Sequence, residues 1–350
     1  MGRLHARIYS QMPQVEFVGV VDIQREKAEA LAAEYGTRAY TDPAEVLDRL
    51  DAVTVAVPTE AHLTVAAPFL SRSIPVLVEK PLAVGVHEAR RMLELAQQHR
   101  CLLQVGYSER FNPVVQALRR LNVAPRFLEA VRISPYTFRS TDVGVVLDLM
   151  IHDIDIMLSL AHSEVAALEA VGVSVVGRHE DIANARLTFA NGFVANLTAS
   201  RLALKTERKV RVFSEEAYLS LDYLKKSGLM VRKAANIDMV QWLRQQQARH
   251  GDLNLLHLKW QDLVRVETLD IDDREPLVLE QEAFLQAVRD GSRPQVSAED
   301  AIAAMELAER IVAKIKTHGW SGGAATLAPA VEECRNPQAE GPANGRNAKV

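Results

Sequence analysis

Over its first hundred residues the chain alternates short, almost unbroken apolar runs with helical patterns, and this alternation restricts the fold more than any other feature. The runs span 16–21, 51–57, 75–78 and 101–105, with a shorter one around Arg38, Ala39 and Tyr40. A helical pattern over 25–35 is closed by Gly36, and Thr41-Asp42-Pro43 starts another with proline in its first turn. Strands that are apolar on both sides must be covered on both sides, which predicts a parallel sheet between helices, an α/β doubly wound arrangement of Rossmann type.

The pattern changes beyond Val105. A helix is predicted over 114–121, after Tyr107-Ser108-Glu109-Arg110-Phe111-Asn112-Pro113. Strands follow at 127–133, 166–176, 183–189, 193–198, 209–213, 217–221 and 229–233. Asn191-Gly192 marks a hairpin between two of them, so this second sheet is expected to be open and largely antiparallel. The segment 237–250 is polar and Gln-rich, as in a surface helix or insertion. Two closing helices start at Pro276 and at Ser297-Ala298-Glu299-Asp300. The expected units are a dinucleotide-binding domain over 1–107, an α+β substrate and oligomerisation domain over 108–318, and a disordered tail over 319–350 rich in Gly, Ala, Pro and Asn.

With 350 residues and 48% hydrophobic content the chain can bury two cores. Its 41 basic and 45 acidic residues are well mixed, which argues against a nucleic-acid or membrane partner and for a small-molecule ligand. Two cysteines, Cys101 and Cys334, make neither a disulfide framework nor a zinc cluster, as suits a reducing cytoplasm. No apolar run approaches membrane-spanning length, and the start lacks a signal-peptide core.

One later stretch carries unexpected polarity. Residues 144–155 read as a buried helix, yet Asp148, His152 and Asp155 recur on one of its faces. An imidazole and carboxylates in such a setting need partners or a ligand. In doubly wound sheets ligands lie beyond the carboxyl ends of the strands, so the residues just after each strand are also candidates. Asp22 ends its strand about twenty residues after Gly2, where an acidic side chain meets a ribose hydroxyl, with Arg25 close by; read alone it is a helix cap. Val57-Pro58-Thr59 and Glu79-Lys80-Pro81 follow two further strands. Lys80 there is placed to hydrogen-bond a reacting oxygen. The histidines show no metal-ligand spacing, no metal is expected, and His62, His87 and His99 read as helix-surface residues.

Gly2-Arg3-Leu4-His5-Ala6-Arg7, Glu79-Lys80-Pro81 and the Asp148-x-x-x-His152 spacing together resemble the Gfo/Idh/MocA oxidoreductases over about residues 1 to 317. The resemblance implies an NAD-dependent enzyme in which Lys80, Asp148 and His152 converge beside the nicotinamide. It implies cofactor contacts from Gly2, Asp22, Arg25, Val57, Pro58, Thr59, His62, Glu79, Lys80 and Gln104. Arg110, Asn112, Arg139, Arg201 and Lys205, with Asp148 and His152, resemble the substrate side of the branch acting on the 3-hydroxyl of UDP-N-acetylglucosamine, a step toward lipid A. Free-sugar or inositol dehydrogenation is the alternative, since it does not require Arg139, Arg201 and Lys205 to converge. A homodimer or homotetramer through the second sheet is expected.

One departure from the family pattern bears on the fold. The strand and Gly-x-Gly turn that precede the Gly-Arg-Leu-His segment in the family are absent, and in the order 3-2-1-4-5-6 that strand is the central one. The expectation is therefore of two unpaired edges flanking a gap, and of in-frame codons upstream of Met1. A cofactor-free binding or regulatory protein on a decayed Rossmann scaffold is the reading of a different class, opposed by the intact Lys80, Asp148 and His152.

Overall fold

The computed structural model describes residues 1–137, 143–233 and 264–318, of which Met1–Thr317 form one compact unit. The Gln-rich segment 237–250, expected as a surface helix or insertion, the tail from 319, and the segment 138–142 with Arg139 lie outside the described residues.

The amino-terminal part runs α1 (Gly2–Gln11), β1 (Gly19–Val21), α2 (Arg25–Tyr35), β2 (Arg38–Tyr40), β3 (Val53–Val55), α3 (His62–Ser71), β4 (Val76–Glu79), α4 (Val86–Gln98) and β5 (Leu103–Gly106). All pairings are parallel, as continuous apolar runs require, but they fall into two groups, β1–β2 and β3–β4–β5. Among the described residues β1 and β3 do not pair with each other. Helix α1 reaches across instead: Tyr9 meets the Phe17 ring at 6.3 Å, and its hydroxyl lies 2.7 Å from Thr54 Oγ1 in β3. The helix expected to start at Asp42 is only two short 3₁₀ turns, Pro43–Glu45 and Leu47–Arg49. Asp42 and Glu45 do form the capping box, but Val46 at φ −115° breaks the helical run.

The second part contains α5 (Pro113–Arg120), β6 (Phe127–Ile133), α6 (Ile151–Ala161), β7 (Val165–Val173), β8 (Ile182–Phe189), β9 (Val194–Ser200), β10 (Glu207–Phe213), β11 (Ala217–Asp222), β12 (Ser227–Lys233), β13 (Val264–Thr268), α7 (Pro276–Asp290) and α8 (Ala298–Thr317). Its eight strands are ordered β13-β12-β11-β10-β6-β9-β8-β7, antiparallel except for the parallel β6–β9 pair. Strand β13 carries no alternation strong enough to be read from sequence. The hairpin at Asn191-Gly192 forms as expected: Gly192 takes φ +83°, and Asn191 Oδ1 accepts from the Phe193 amide. Alternate residues of β8 and β9, among them Ala183, Ala185, Leu187, Ala195 and Leu197, enter the core, and α6 packs over β9 and against α8.

The polar-faced segment is not one regular helix. Val146–Met150 form a π-helical turn and the α-helix begins only at Ile151. Gly144 leads into it because the Glu180 carboxylate lies where any Cβ would sit, 1.9 Å from the Cβ position, and Glu180 Oε1 accepts from the Val146 amide. No helical periodicity in the sequence signals such a turn, which commonly marks a functional position.

Candidate active site

The end of β4 and the π-turn meet. Lys80 follows β4, its peptide bond to Pro81 is cis, and its Nζ donates to the Asp148 carbonyl oxygen at 3.0 Å with Asp148 Oδ1 at 3.4 Å. Both side chains keep part of their surface open, 22% and 28%. His152 lies one turn further on. Its ring is only partly exposed, meets Tyr107 edge-on at 6.0 Å, and keeps a buried Nδ1 without a hydrogen-bond partner among the described residues. Burial, followed by the charges of Lys80, Arg132 and Arg208, holds the imidazole well below its ordinary value, so it is neutral and can accept a proton.

The third residue of the expected polar face is elsewhere. Asp155 is buried against Arg110, which donates from Nε to Oδ2 at 2.7 Å and pairs with Oδ1 through Nη2. The i, i+7 spacing assumes regular α-geometry, and the π-turn removes that assumption. Arg110, expected on the substrate side, is in the structure the buried partner of Asp155. Asn112 likewise caps α5, accepting from the Val114 amide and donating to Glu109.

Of the expected cationic cluster, Arg201 and Lys205 are described, and each meets its own acid. Arg201 is buried: Nε donates to Asp181 Oδ1 at 2.7 Å, Nη1 to the Val143 carbonyl at 2.9 Å, and the guanidinium lies 5.6 Å from the Tyr136 ring centre. Arg201 and three backbone amides, of Val175, Val176 and Gly177, overcome the effect of burial and hold Asp181 down to about 2. Lys205 is exposed, its Nζ 3.8 Å from Glu207. These residues have separate tasks, because a sequence places cations in a chain without saying which carboxylate each one meets.

Several residues expected at the cofactor also make contacts that hold the fold together. Glu79 is buried and taken by His5, whose Nε2 lies 2.6 Å from Oε1, while Gln281 Nε2 donates to His5 Nδ1 at 2.6 Å. His62 is not a surface residue. At 1% exposure its ring nitrogens face the carbonyls of Val57, Pro81 and Leu82, which ties the turn after β3 to the turn carrying Lys80. Pro58 and Thr59 form that first turn, leading into a 3₁₀ segment. Gln104 is buried in β5, donating to the Glu280 carbonyl at 3.4 Å, and Arg25 is exposed beside Glu29 on α2.

What remains fits a dinucleotide at its two ends. Helix α1 begins at Gly2 with no side-chain cap and open space around Gly2, as suits a phosphate group. Asp22 ends β1, with one oxygen accepting from the Gln24 amide at 2.8 Å. At the other end stand Lys80 and the neutral His152. Among the described residues no group of His, Cys, Asp or Glu is arranged to hold a metal ion, and no helix is long and apolar enough to cross a membrane.

Sequence reasoning missed the charged residues behind His152: Glu109, Arg132, Asp153 and Arg208. A signal existed for Arg132, which shares the inward phase of β6 with Leu128 and Ala130. Glu280 and Gln281 are similarly placed in the apolar stripe of α7 with Leu277 and Phe284.

Comparison with known proteins agrees with this geometry. Residues 1–107 match "Oxidoreductase family, NAD-binding Rossmann fold", and residues 124–220 match "GFO/IDH/MocA C-terminal domain". The chain is 34% identical over 290 residues to a UDP-N-acetylglucosamine 3-dehydrogenase of Acidithiobacillus ferrooxidans, covering 82% of this chain and 85% of that one. A solved structure of that organism's UDP-N-acetylglucosamine 3-dehydrogenase superposes with a TM-score of 0.79 at 32% identity, over 90% of this chain and 94% of the other. The scyllo-inositol 2-dehydrogenase (NAD(+)) of Bacillus subtilis is 24% identical over 327 residues, 88% of this chain and 89% of its own. A Rossmann-type parallel sheet, a mostly antiparallel second sheet and matches across both halves lead to one conclusion: the chain belongs to the GFO/IDH/MocA family of NAD-binding oxidoreductases.

Proposed function

We propose that the protein oxidises a secondary hydroxyl of a sugar, specifically the 3-hydroxyl of UDP-N-acetylglucosamine, with His152 as the base, Lys80 holding the reacting oxygen and Asp148 orienting them. The observation that carries this reading is the meeting of Lys80 with Asp148 beside a neutral, half-buried imidazole. Alcohol oxidation needs an acceptor for the hydroxyl proton, and a ring held neutral offers one across the working pH range. An ammonium group near the same oxygen stabilises the negative charge that develops as the proton leaves. Asp148 fixes that ammonium group through both its backbone and its carboxylate. NAD, when bound, accepts the hydride. Gly2 and the α1 amides would hold its phosphates, Asp22 its ribose, and Lys80 and His152 would lie at the nicotinamide end.

The nucleotide-sugar substrate is supported by likeness to the Acidithiobacillus enzyme. One observation favours a second reading, a free sugar or an inositol: Arg201 Nε and Nη1 are taken by Asp181 and the Val143 carbonyl, and its side chain is only 6% exposed. Purified protein with NAD and each candidate decides between them. NAD reduction with UDP-N-acetylglucosamine, and none with N-acetylglucosamine or inositol, is the expected result; equal rates with the free sugars overturn it.

We also propose assembly through the outer face of the second sheet. Phe127, Phe213 and Tyr218 gather there, with ring centres 5.7 and 4.8 Å apart, on the side away from the core. Light scattering showing a dimer or tetramer is expected, and a monomer at high concentration refutes it.

A further inference from the structure

His152 is followed by Asp153, which turns away from the site into the second sheet. There Asp153 accepts from Arg132 twice, Nε to Oδ2 and Nη2 to Oδ1, both at 2.8 Å. The third arm of Arg132 reaches Glu109 Oε1 at 3.1 Å, and the same oxygen accepts from Arg208 Nη1 at 2.5 Å. Asn112 Nδ2 donates to the other Glu109 oxygen at 3.2 Å. Two carboxylates and two guanidiniums thus form a closed, neutral set. Only Arg208, 38% exposed, reaches solvent to any extent.

Two features set this network apart from ordinary packing. Arg132 and Arg208 are direct partners across the β6–β10 ladder, and like charges so placed repel unless a shared anion intervenes. Four ionic groups are also an expensive way to join a helix to a sheet, since well-packed apolar residues commonly do so at equal or greater stability. The network lies directly behind the turn that bears His152.

We propose that the Glu109–Arg132–Asp153–Arg208 network positions His152, Arg132 fixing the helix turn that bears the ring through its two bonds to the adjacent Asp153. The inference rests on the reading of His152 as base. The ring meets Tyr107 edge-on, and the charges that act on it come from Lys80 at the end of β4, Arg132 in β6 and Arg208 in β10. Glu109 and Asp153 are the carboxylates that pair with the two arginines. For Arg132, burial acts to lower its value, but Asp153 and Glu109 outweigh this and raise it, so it is charged throughout. Both arginines are positioning residues in this scheme and need not touch the substrate.

Three variants test it: Arg208→Gln removes one charge from a half-buried position, Arg132→Lys keeps the charge but loses the fork, and His152→Asn assigns the ring. Histidine ring titration by NMR on the intact protein should show His152 well below its ordinary value. In Arg208→Gln it should rise, because the Glu109 carboxylate loses one of its two guanidiniums, and the acid limb of kcat for NAD reduction should move up with it. In Arg132→Lys the ring should titrate near the wild-type value while kcat falls about tenfold at little-changed KM. An unmoved ring titration in Arg208→Gln, or wild-type kcat in a folded Arg132→Lys, overturns the inference. If Arg132→Lys does not fold, Arg208→Gln decides alone. Full turnover in His152→Asn would instead refute the assignment of the base, whatever the ring titration in Arg208→Gln shows.

Discussion

Lys80 Nζ holds Asp148 at two points, its backbone carbonyl at 3.0 Å and its carboxylate at 3.4 Å, so one ammonium group joins the end of a parallel strand to a π-turn from the other half of the chain. Placement of this kind fixes a charge relative to a reacting atom without a flexible loop between them. Lys80→Ala and His152→Ala should each lower kcat by about 10²-fold or more, with circular dichroism unchanged. Near-normal turnover in both would remove the assignment.

The pH dependence follows from the direction in which His152 is shifted. An imidazole whose folded value is depressed favours the folded state above its unfolded value, and that contribution is lost as pH falls through the folded value. The acid limb of alcohol oxidation should accordingly lie below the ordinary imidazole range, with activity retained at slightly acid pH. A limb at or above neutrality in the kcat profile would contradict this.

Cofactor choice should depend on Asp22. Its carboxylate at the end of β1 attracts ribose hydroxyls and repels a 2′-phosphate. NADH should bind more tightly than NADPH in fluorescence titration, and Asp22→Ser should narrow the difference by about tenfold. A preference for NADPH in the wild type would be the opposite result.

The Arg110–Asp155 pair offers a test of stability separate from chemistry. Both groups are buried, at 5% and 1% side-chain exposure, so removing one strands the other. Arg110→Met should cost about 3 to 5 kcal/mol in urea unfolding. A loss under about 1 kcal/mol would mean that Asp155 finds another donor.

Glu280 predicts an effect of opposite sign. Burial first, and then the nearby Glu79, raise its carboxyl well above the ordinary value, and neither of its oxygens has a partner among the described residues. Below its unfolded value both states are protonated; as pH rises the unfolded chain releases the proton and the folded one keeps it, so stability declines. Glu280→Gln should therefore stabilise by about 1 to 3 kcal/mol at pH 8 and by little at pH 4, as measured by denaturant unfolding.

The elements legible in the sequence were those with a strong period. Strand β6 spans the predicted 127–133 and α7 starts at the predicted Pro276, because alternation and a helix-start proline are local signals. The catalytic candidates were legible too, since Lys80 after a strand and Asp148 with His152 in an apolar helix stand out against their neighbours. Pairing was not legible. Arg110, Arg201 and Lys205 are all cations in plausible places, yet each meets a different acid, Asp155, Asp181 or Glu207, brought there by sheet order and not by sequence distance. The π-turn escaped for a related reason: it is held by Glu180 and Lys80 from outside, so its own residues do not announce it.

The order of the second sheet has a consequence for how the chain is made. Strand β6 is synthesised first yet ends in the interior of the sheet, between β9, which pairs Phe127 with Val194, and β10, which pairs Ile133 with Glu207. As the polypeptide emerges from the ribosome, β6 has neither neighbour, and the inward Leu128, Ala130 and Arg132 wait for partners made much later. The nascent chain is thus most exposed to wrong association after the dinucleotide-binding half has emerged and before β10 has. Substitutions in β9 and β10 should accordingly be felt first as lost yield of soluble protein, ahead of any change in the finished enzyme.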